Sequence, residues 1–575
     1  MSSPSKPASL QVQAIAAGPL PLIKALLDEL GVREIIDALV PNDAGEFTYG
    51  PVAEVVIASR LQGVPLPIYE IADWASETAV PILFGIPAEK LNDDRLGATL
   101  APDASAGVLD ALRPHRAAIW ARVLSRAVAR FGVDLSRLHA DPTKIAFEGS
   151  YAGWDDLPPD VPRITYGKPK DGQVDRKLLT LSQWVSEDSG VPAWFGLEDG
   201  NAADDPLYLQ DLRALRTALP LNEVLVIAGN CKLPSRAMLL QCCRWNYQVV
   251  ATEPWRKTRR ERLTKLLRRG ADWQRLDYTA ESDKNKPEAE RGHYTVIEDL
   301  DQLEDAATGT VYPLRRLFVR SSRKADQARA KRDRQLTVVK AELERLHGLV
   351  NKYHYTTVET VKDRADQILG KNAAGRFIQV QVTRTRAKTA PIRLTWSVPR
   401  KALQAAAEWD GVYSVVTNLL TATHSATEVL AIYKNQHQVE GRFRDLNQLP
   451  IRVRPLWLKR PDRIETLVFL IMIAVLLYAL LERQVRRHIA ATGQKIDGLM
   501  PEKRDTLTPS GQRLLRAFAA VCLVRLDDGQ QVRFQLSELS AVHRRILKAL
   551  GLADLSALLT DLPKQARAAE LLAQA

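Results

Sequence analysis

Three polar positions in this chain fall where side chains can do chemistry. Asp141 follows the strand-like run Arg137-Leu138-His139-Ala140 and precedes Pro142 and Thr143, which predict the end of the ladder and an exposed carboxylate. Asn230 closes the apolar run Val224-Leu225-Val226-Ile227-Ala228-Gly229 and opens Asn230-Cys231-Lys232. Glu440 lies in the segment from Tyr433 to Asn447, in a helix predicted to begin near Ser425, where Ser425 and Glu428 have the spacing of a capping box. Tyr433 and Gln436 are three apart and Glu440 four further, so one continuous helix would carry all three on one face. Carboxylate oxygens are what magnesium and manganese prefer, and several acidic groups from separated strands are needed to hold them. Two such cations about 4 Å apart serve phosphoryl transfer, one activating the attacking oxygen and one stabilising the leaving oxygen.

These residues resemble the signatures of the DDE transposases of insertion sequences. In that family three carboxylates on an RNase H-like sheet cut and rejoin DNA, and a Y-(2)-R-(3)-E-(6)-K signature surrounds the third. Here the four positions fall on Tyr433, Gln436, Glu440 and Asn447. Asp141-Pro142-Thr143 is similar to the first, D-x-T motif, and Gly229-Asn230-Cys231-Lys232 is similar to the family's G-D-C-K, with Asn in the aspartate position. The resemblance implies Asp141, Asn230 and Glu440 as catalytic and metal positions for two Mg²⁺ or Mn²⁺ ions. It also implies phosphate contacts at Tyr433 and Gln436, weakened because Gln436 has no charge, and lost lysine charge at Asn447. Arg442 and Arg444 join these as expected DNA contacts. The implied partners are the inverted-repeat ends of the element and a target duplex, with a homodimer on DNA, in the bacterial cytoplasm at the nucleoid. The chain is therefore expected to be a DNA transposase impaired by Asn230; the alternative is a transposase-derived DNA-binding protein without catalysis. Glu198, Asp199, Asp204 and Asp205 lie in a nearby acidic loop that could supply a substitute carboxylate.

The charge balance agrees with a polyanionic partner. Net charge is +12 and the sequence pI about 9.4. Residues 256–269 hold eight Lys or Arg against one Glu, and residues 315–334 nine against two Asp. The first run, with Arg259, Arg260, Arg262 and Lys265, is expected to meet the DNA backbone. The cysteines, Cys231, Cys242, Cys243 and Cys522, form no C-x-x-C pair, which suits a reducing compartment.

The elements that must position these groups read as an α/β fold. Residues 1–17 are expected to be a disordered tail and 18–134 a helical N-terminal domain that binds DNA ends or dimerises. Strand, hairpin (turning at Glu187-Asp188-Ser189-Gly190), helix, strand, helix, strand over 135–253 is the order of an RNase H-like mixed-sheet core. A basic α+β insertion follows over 254–408, and the core resumes over 409–498. Leu467–Leu481 is apolar but shorter than the roughly 20 residues a membrane span needs, so a helix buried on all sides is predicted and no membrane partner. Residues 499–575 read as a small helical unit with a hairpin at Asp527-Asp528-Gly529.

Overall fold

The computed structural model describes the chain except residues 1–9, 42–46, 64–65, 98–106, 152–156, 169–175, 220–224, 448–457, 501–505, 529–530, 553–554, 556 and 561–575. The chain divides into two compact units, Met1–Gln248 with Asn435–Ala575, and Val249–Lys434. Both are mixed α/β.

The first unit is organised around the strand Arg137–Phe147. On one side it pairs antiparallel with Lys177–Ser186, which forms a hairpin with Pro192–Asp199. On the other side it pairs in parallel with Val226–Gly229, reached through the helix Asp204–Ala218. A parallel partner needs such a crossover, whereas the antiparallel pair closes with a tight turn. That turn sits at Glu187-Asp188-Ser189-Gly190, where Ser189 (φ 68°) and Gly190 (φ 67°) are successive left-handed residues, as a hairpin of this hand requires. Pro142 does not end the strand, contrary to the sequence expectation. The ladder with Lys177–Ser186 runs through Pro142↔Ser182 to Phe147, and what stops is the parallel pairing, whose last registered pair is Ala140↔Gly229.

The helix Pro461–Thr492 carries the apolar run and is buried continuously from Ile464 to Arg483. It is packed by the helices Tyr49–Ser59, Val108–Leu112 and Arg116–Phe131 and by the strand Pro192–Asp199. Burying one large apolar side chain is worth about 1.5–3 kcal/mol, so a helix apolar all round belongs in such a core. The N-terminal helices thus share this core. Leu20–Leu30 buries Leu22, Ile23, Leu26, Leu27 and Leu30 and stops at the left-handed Gly31 (φ 58°), as its spacing predicted. The expected tail needs correction at its end: Gln11–Ala16 is a strand, paired antiparallel with Cys522–Asp527, which in turn pairs with Val532–Leu536.

The second unit contains the antiparallel strands Gln248–Glu253 (from Val249), Val412–Thr417, Thr310–Ser321, Tyr294–Asp305 and Gln274–Leu276, in that order. A separate pair, Gln379–Arg384 with Ile392–Ser397, packs with the helices Ser322–Leu349 and Val358–Lys371. Trp396, a candidate base-stacking residue by sequence, belongs to this apolar cluster. The strand Val412–Thr417 and the helix Ala426–Lys434, expected with the core from residue 409, lie in this unit.

Candidate active site

Asp141 and Asn230 meet. Asp141 lies one residue beyond the last parallel pair and Asn230 directly follows Gly229, so both side chains emerge where the two strands part. Asn230 Nδ2 donates to Asp141 Oδ1 at 2.5 Å, while Asn230 Oδ1 accepts from the Lys232 backbone N–H at 2.8 Å. The Lys232 N–H can only meet an oxygen, so the amide is oriented with its NH₂ toward the carboxylate. The pair is thereby satisfied internally: a neutral donor occupies the carboxylate oxygen that a cation would take.

Tyr208, on the helix Asp204–Ala218, stands beside this pair. Its hydroxyl is buried without a hydrogen bond of good geometry. Burial, and then the charges of Asp141 and Asp204, push its pKa well above the ordinary tyrosine value. Asp204 is four residues before Tyr208, one helical turn away, so of the acidic loop it is the carboxylate nearest this corner. Sequence reasoning did not single out Tyr208, although the i, i+4 spacing from Asp204 was there to be read. It also missed His139, two positions before Asp141, and Gln183, the cross-strand partner of Asp141. Both are fully buried, and neither side chain has a hydrogen-bond partner among the described residues.

Glu440 is carried by the helix His437–Asn447, which packs against the strands Arg137–Phe147 and Lys177–Ser186 and buries Val439, Phe443 and Leu446. Its own side chain is on the exposed face with His437 and Arg444, and makes no hydrogen bond or ion pair among the described residues. The expectation of one helix from Ser425 through Glu440 fails. The Ser425–Glu428 capping box is present, with Glu428 N–H to Ser425 Oγ at 3.3 Å and Ser425 N–H to Glu428 Oε2 at 2.8 Å, but that helix ends at Lys434. Asn435 and Gln436 form a turn, so Tyr433 and Glu440 ride on different helices, and Tyr433 falls in the second unit. The backbone carbonyl of the half-buried Gln436 accepts the Glu440 N–H at 3.4 Å. Asn447 ends the second helix, and its side chain lies outside the described residues.

Arg442 is a structural cation, not a free one. It is 4 % exposed and donates to Gly190 O, Ser189 O, Asp445 and Glu482, each at 2.8–2.9 Å. Burial alone would lower its pKa, but the Glu482 and Asp445 charges overcome it and raise it. Arg483 reaches the same turn through Asp188 and also binds Phe131 O and Gly132 O, both at 2.7 Å. Asn435 Nδ2 donates to Glu187 Oε1 at 2.9 Å, and Glu187 stands 3.6 Å from His139 Nε2. These contacts fix the Glu440 helix against the hairpin.

The basic run of the second unit separates into two kinds of residue. Arg259 donates to Glu253 at 2.6 Å, and Arg262 binds Asp299 and, at 2.9 Å, Asp301. Arg316, almost fully buried, bridges the same Glu253 and Asp301. Arg260 and Lys265 are exposed on the other side of the helix Lys257–Arg268, with no ion pair among the described residues. In the second run Arg315 and Arg323 are likewise tied to Glu298 and Asp283, and Arg332 holds Asp410 through two bonds.

A two-cation site does not fit the residues as they stand. Among the described residues no three His, Cys, Asp or Glu side chains converge to hold a metal ion. Asp141 meets an amide donor where a second carboxylate would share a cation.

Residues 11–112 match the family model of a domain of unknown function, DUF4277. Among curated proteins, none matches the sequence. Of solved structures, the synaptic complex of the piggyBac transposase with hairpin DNA, determined by cryo-EM, is similar at a TM-score of 0.37 and 7% identity, over 88% of this chain and 82% of that one. A likeness of that size is too slight to assign a function.

Proposed function

We propose that this chain is a DDE-type DNA transposase that retains DNA binding and is crippled in strand cleavage. The observation that carries the second half is the Asn230–Asp141 hydrogen bond. The family's motifs are matched at Asp141-Pro142-Thr143, at Gly229 with Cys231-Lys232, and at Tyr433 and Glu440. The RNase H-like reading is supported by the chain order of the first unit: strand, hairpin, crossover helix and parallel strand, then the helix Arg236–Arg244. The DNA-binding half rests on the motif resemblance and on the exposed Arg260 and Lys265. Element ends are the proposed substrate, with Mg²⁺ or Mn²⁺ as the cations that the family's carboxylates hold; here Asn230 removes one charge-assisted ligand.

The test uses the full chain and labelled duplexes taken from the inverted repeats that flank its gene. Salt-dependent binding without Mg²⁺-dependent nicking supports the reading. No preference for those ends over random duplex removes the transposase assignment.

A further inference from the structure

In the second unit two lysines share one aromatic ring. Lys324 Nζ lies 4.2 Å from the Tyr413 ring centroid. Lys434 Nζ lies 5.7 Å from the same centroid and 4.9 Å from that of Tyr294. Cation–π contact attracts each ammonium, but it leaves the repulsion between them uncancelled. The acids in this neighbourhood are committed elsewhere. Asp283 is bound by Lys286, Arg323 and the Gly292 N–H, and Glu281 pairs with Lys284. Lys324 has no ion pair among the described residues. Partial burial of its ammonium, and then the Lys434 charge, hold Lys324 below the ordinary lysine range, although the residue as a whole is open to solvent.

Between these cations is a hydroxyl in want of a partner. Tyr413 is 8 % exposed, and its Oη is buried with no hydrogen bond. Leaving such a group unsatisfied costs about 1–3 kcal/mol, which a ligand acceptor would recover. Tyr294, 4 % exposed, and Tyr278 pack edge to face beside it, with centroids 5.4 Å apart. The cluster therefore offers two positive charges and a phenolic donor, open to solvent at Lys324.

We propose that Lys324, Lys434 and the Tyr413 hydroxyl form an oxyanion site for a phosphate group. Two non-bridging phosphate oxygens match two ammoniums, and the phenol supplies the remaining donor. If the DNA-binding reading holds, the occupant is a backbone phosphate of the duplex; the same chemistry would take free phosphate or a small phosphate ester.

The experiment measures duplex affinity of the full chain against salt concentration by fluorescence anisotropy, alongside melting in inorganic phosphate. The variants are Lys324→Gln with Lys434→Gln, and Tyr413→Phe. A backbone site predicts that the double variant lowers the log–log salt slope by about 0.9 and weakens binding. Tyr413→Phe should weaken binding with the slope unchanged, which a general loss of charge would not do. If phosphate raises the melting temperature of the parent but not of the double variant, and duplex affinity does not move, the occupant is a small phosphate and not DNA. If neither DNA binding nor the phosphate response changes, the site is overturned. Should the parent bind no duplex at all, the functional reading falls while the phosphate arm still decides this site. Melting of each variant without ligand controls for folding.

Discussion

Replacing Asn230 by Asp converts a hydrogen-bonded pair into two facing carboxylates. The lost bond, from an amide to a charged oxygen at 2.5 Å, is worth about 1.5–3 kcal/mol. Two carboxylate charges relaxed to about 4 Å repel by about 4 kcal/mol at an effective dielectric of 20. Rotation of either side chain relieves part of this, leaving a net destabilisation on the order of 3 kcal/mol without divalent ions. A cation placed between the two oxygens reverses the sign: at 100 times its dissociation constant it returns about 2.7 kcal/mol. Thermal unfolding by scanning fluorimetry should therefore show Asn230→Asp melting several degrees below the parent in EDTA and recovering as Mg²⁺ is added. The parent should barely respond to Mg²⁺. Equal melting of the two proteins in EDTA, with equal Mg²⁺ responses, would refute the idea that this amide occupies the cation position.

Arg442→Ala should cost about 3–5 kcal/mol, because it strands Glu482 in the core; chemical denaturation measures it. Neutralising Arg260 and Lys265 should reduce the salt slope of DNA binding by up to about 0.9 for each phosphate that is no longer neutralised, with unchanged melting. Arg259→Ala with Arg262→Ala should instead lower stability, since both serve the Glu253, Asp299 and Asp301 network. Asp211 is buried beside Trp184, whose Nε1 donates to it at 3.1 Å, and burial pushes its pKa up to about 7. The folded state then holds a proton that the unfolded chain releases near pH 4. Stability from this group is full below that pH and is lost as pH rises through about 7, a change on the order of 4 kcal/mol. Asp211→Asn should flatten that part of the stability–pH profile.

Local periodicity made much of the fold legible. The hairpin at 187–190, the buried helix around Leu467–Leu481, the stop at Gly31 and the Ser425–Glu428 cap all depend on neighbours within a few residues. The strand Gln11–Ala16 was not legible, because its partner, Cys522–Asp527, lies far downstream. Nor was the break at Asn435–Gln436, which contains neither glycine nor proline to announce it. Counting charge along the chain overstated the free cations: Arg259 and Arg262 pair with acids brought near by strand pairing, and Arg442 with Glu482 forty residues away. The corner where Asp141 and Asn230 meet followed from the motif register, but the orientation of the amide depends on the Lys232 N–H and needed coordinates.

That Asn230 leaves a DNA-binding transposase scaffold without effective cleavage is tested most directly by single-turnover cleavage of inverted-repeat duplex in Mg²⁺. The parent and Asn230→Asp are compared at protein concentrations that give equal DNA occupancy. Background nicking is expected from the parent and Mg²⁺-dependent cleavage from the variant. Efficient cleavage by the parent, unchanged in Asn230→Asp, would contradict this and require the second carboxylate to come from another residue.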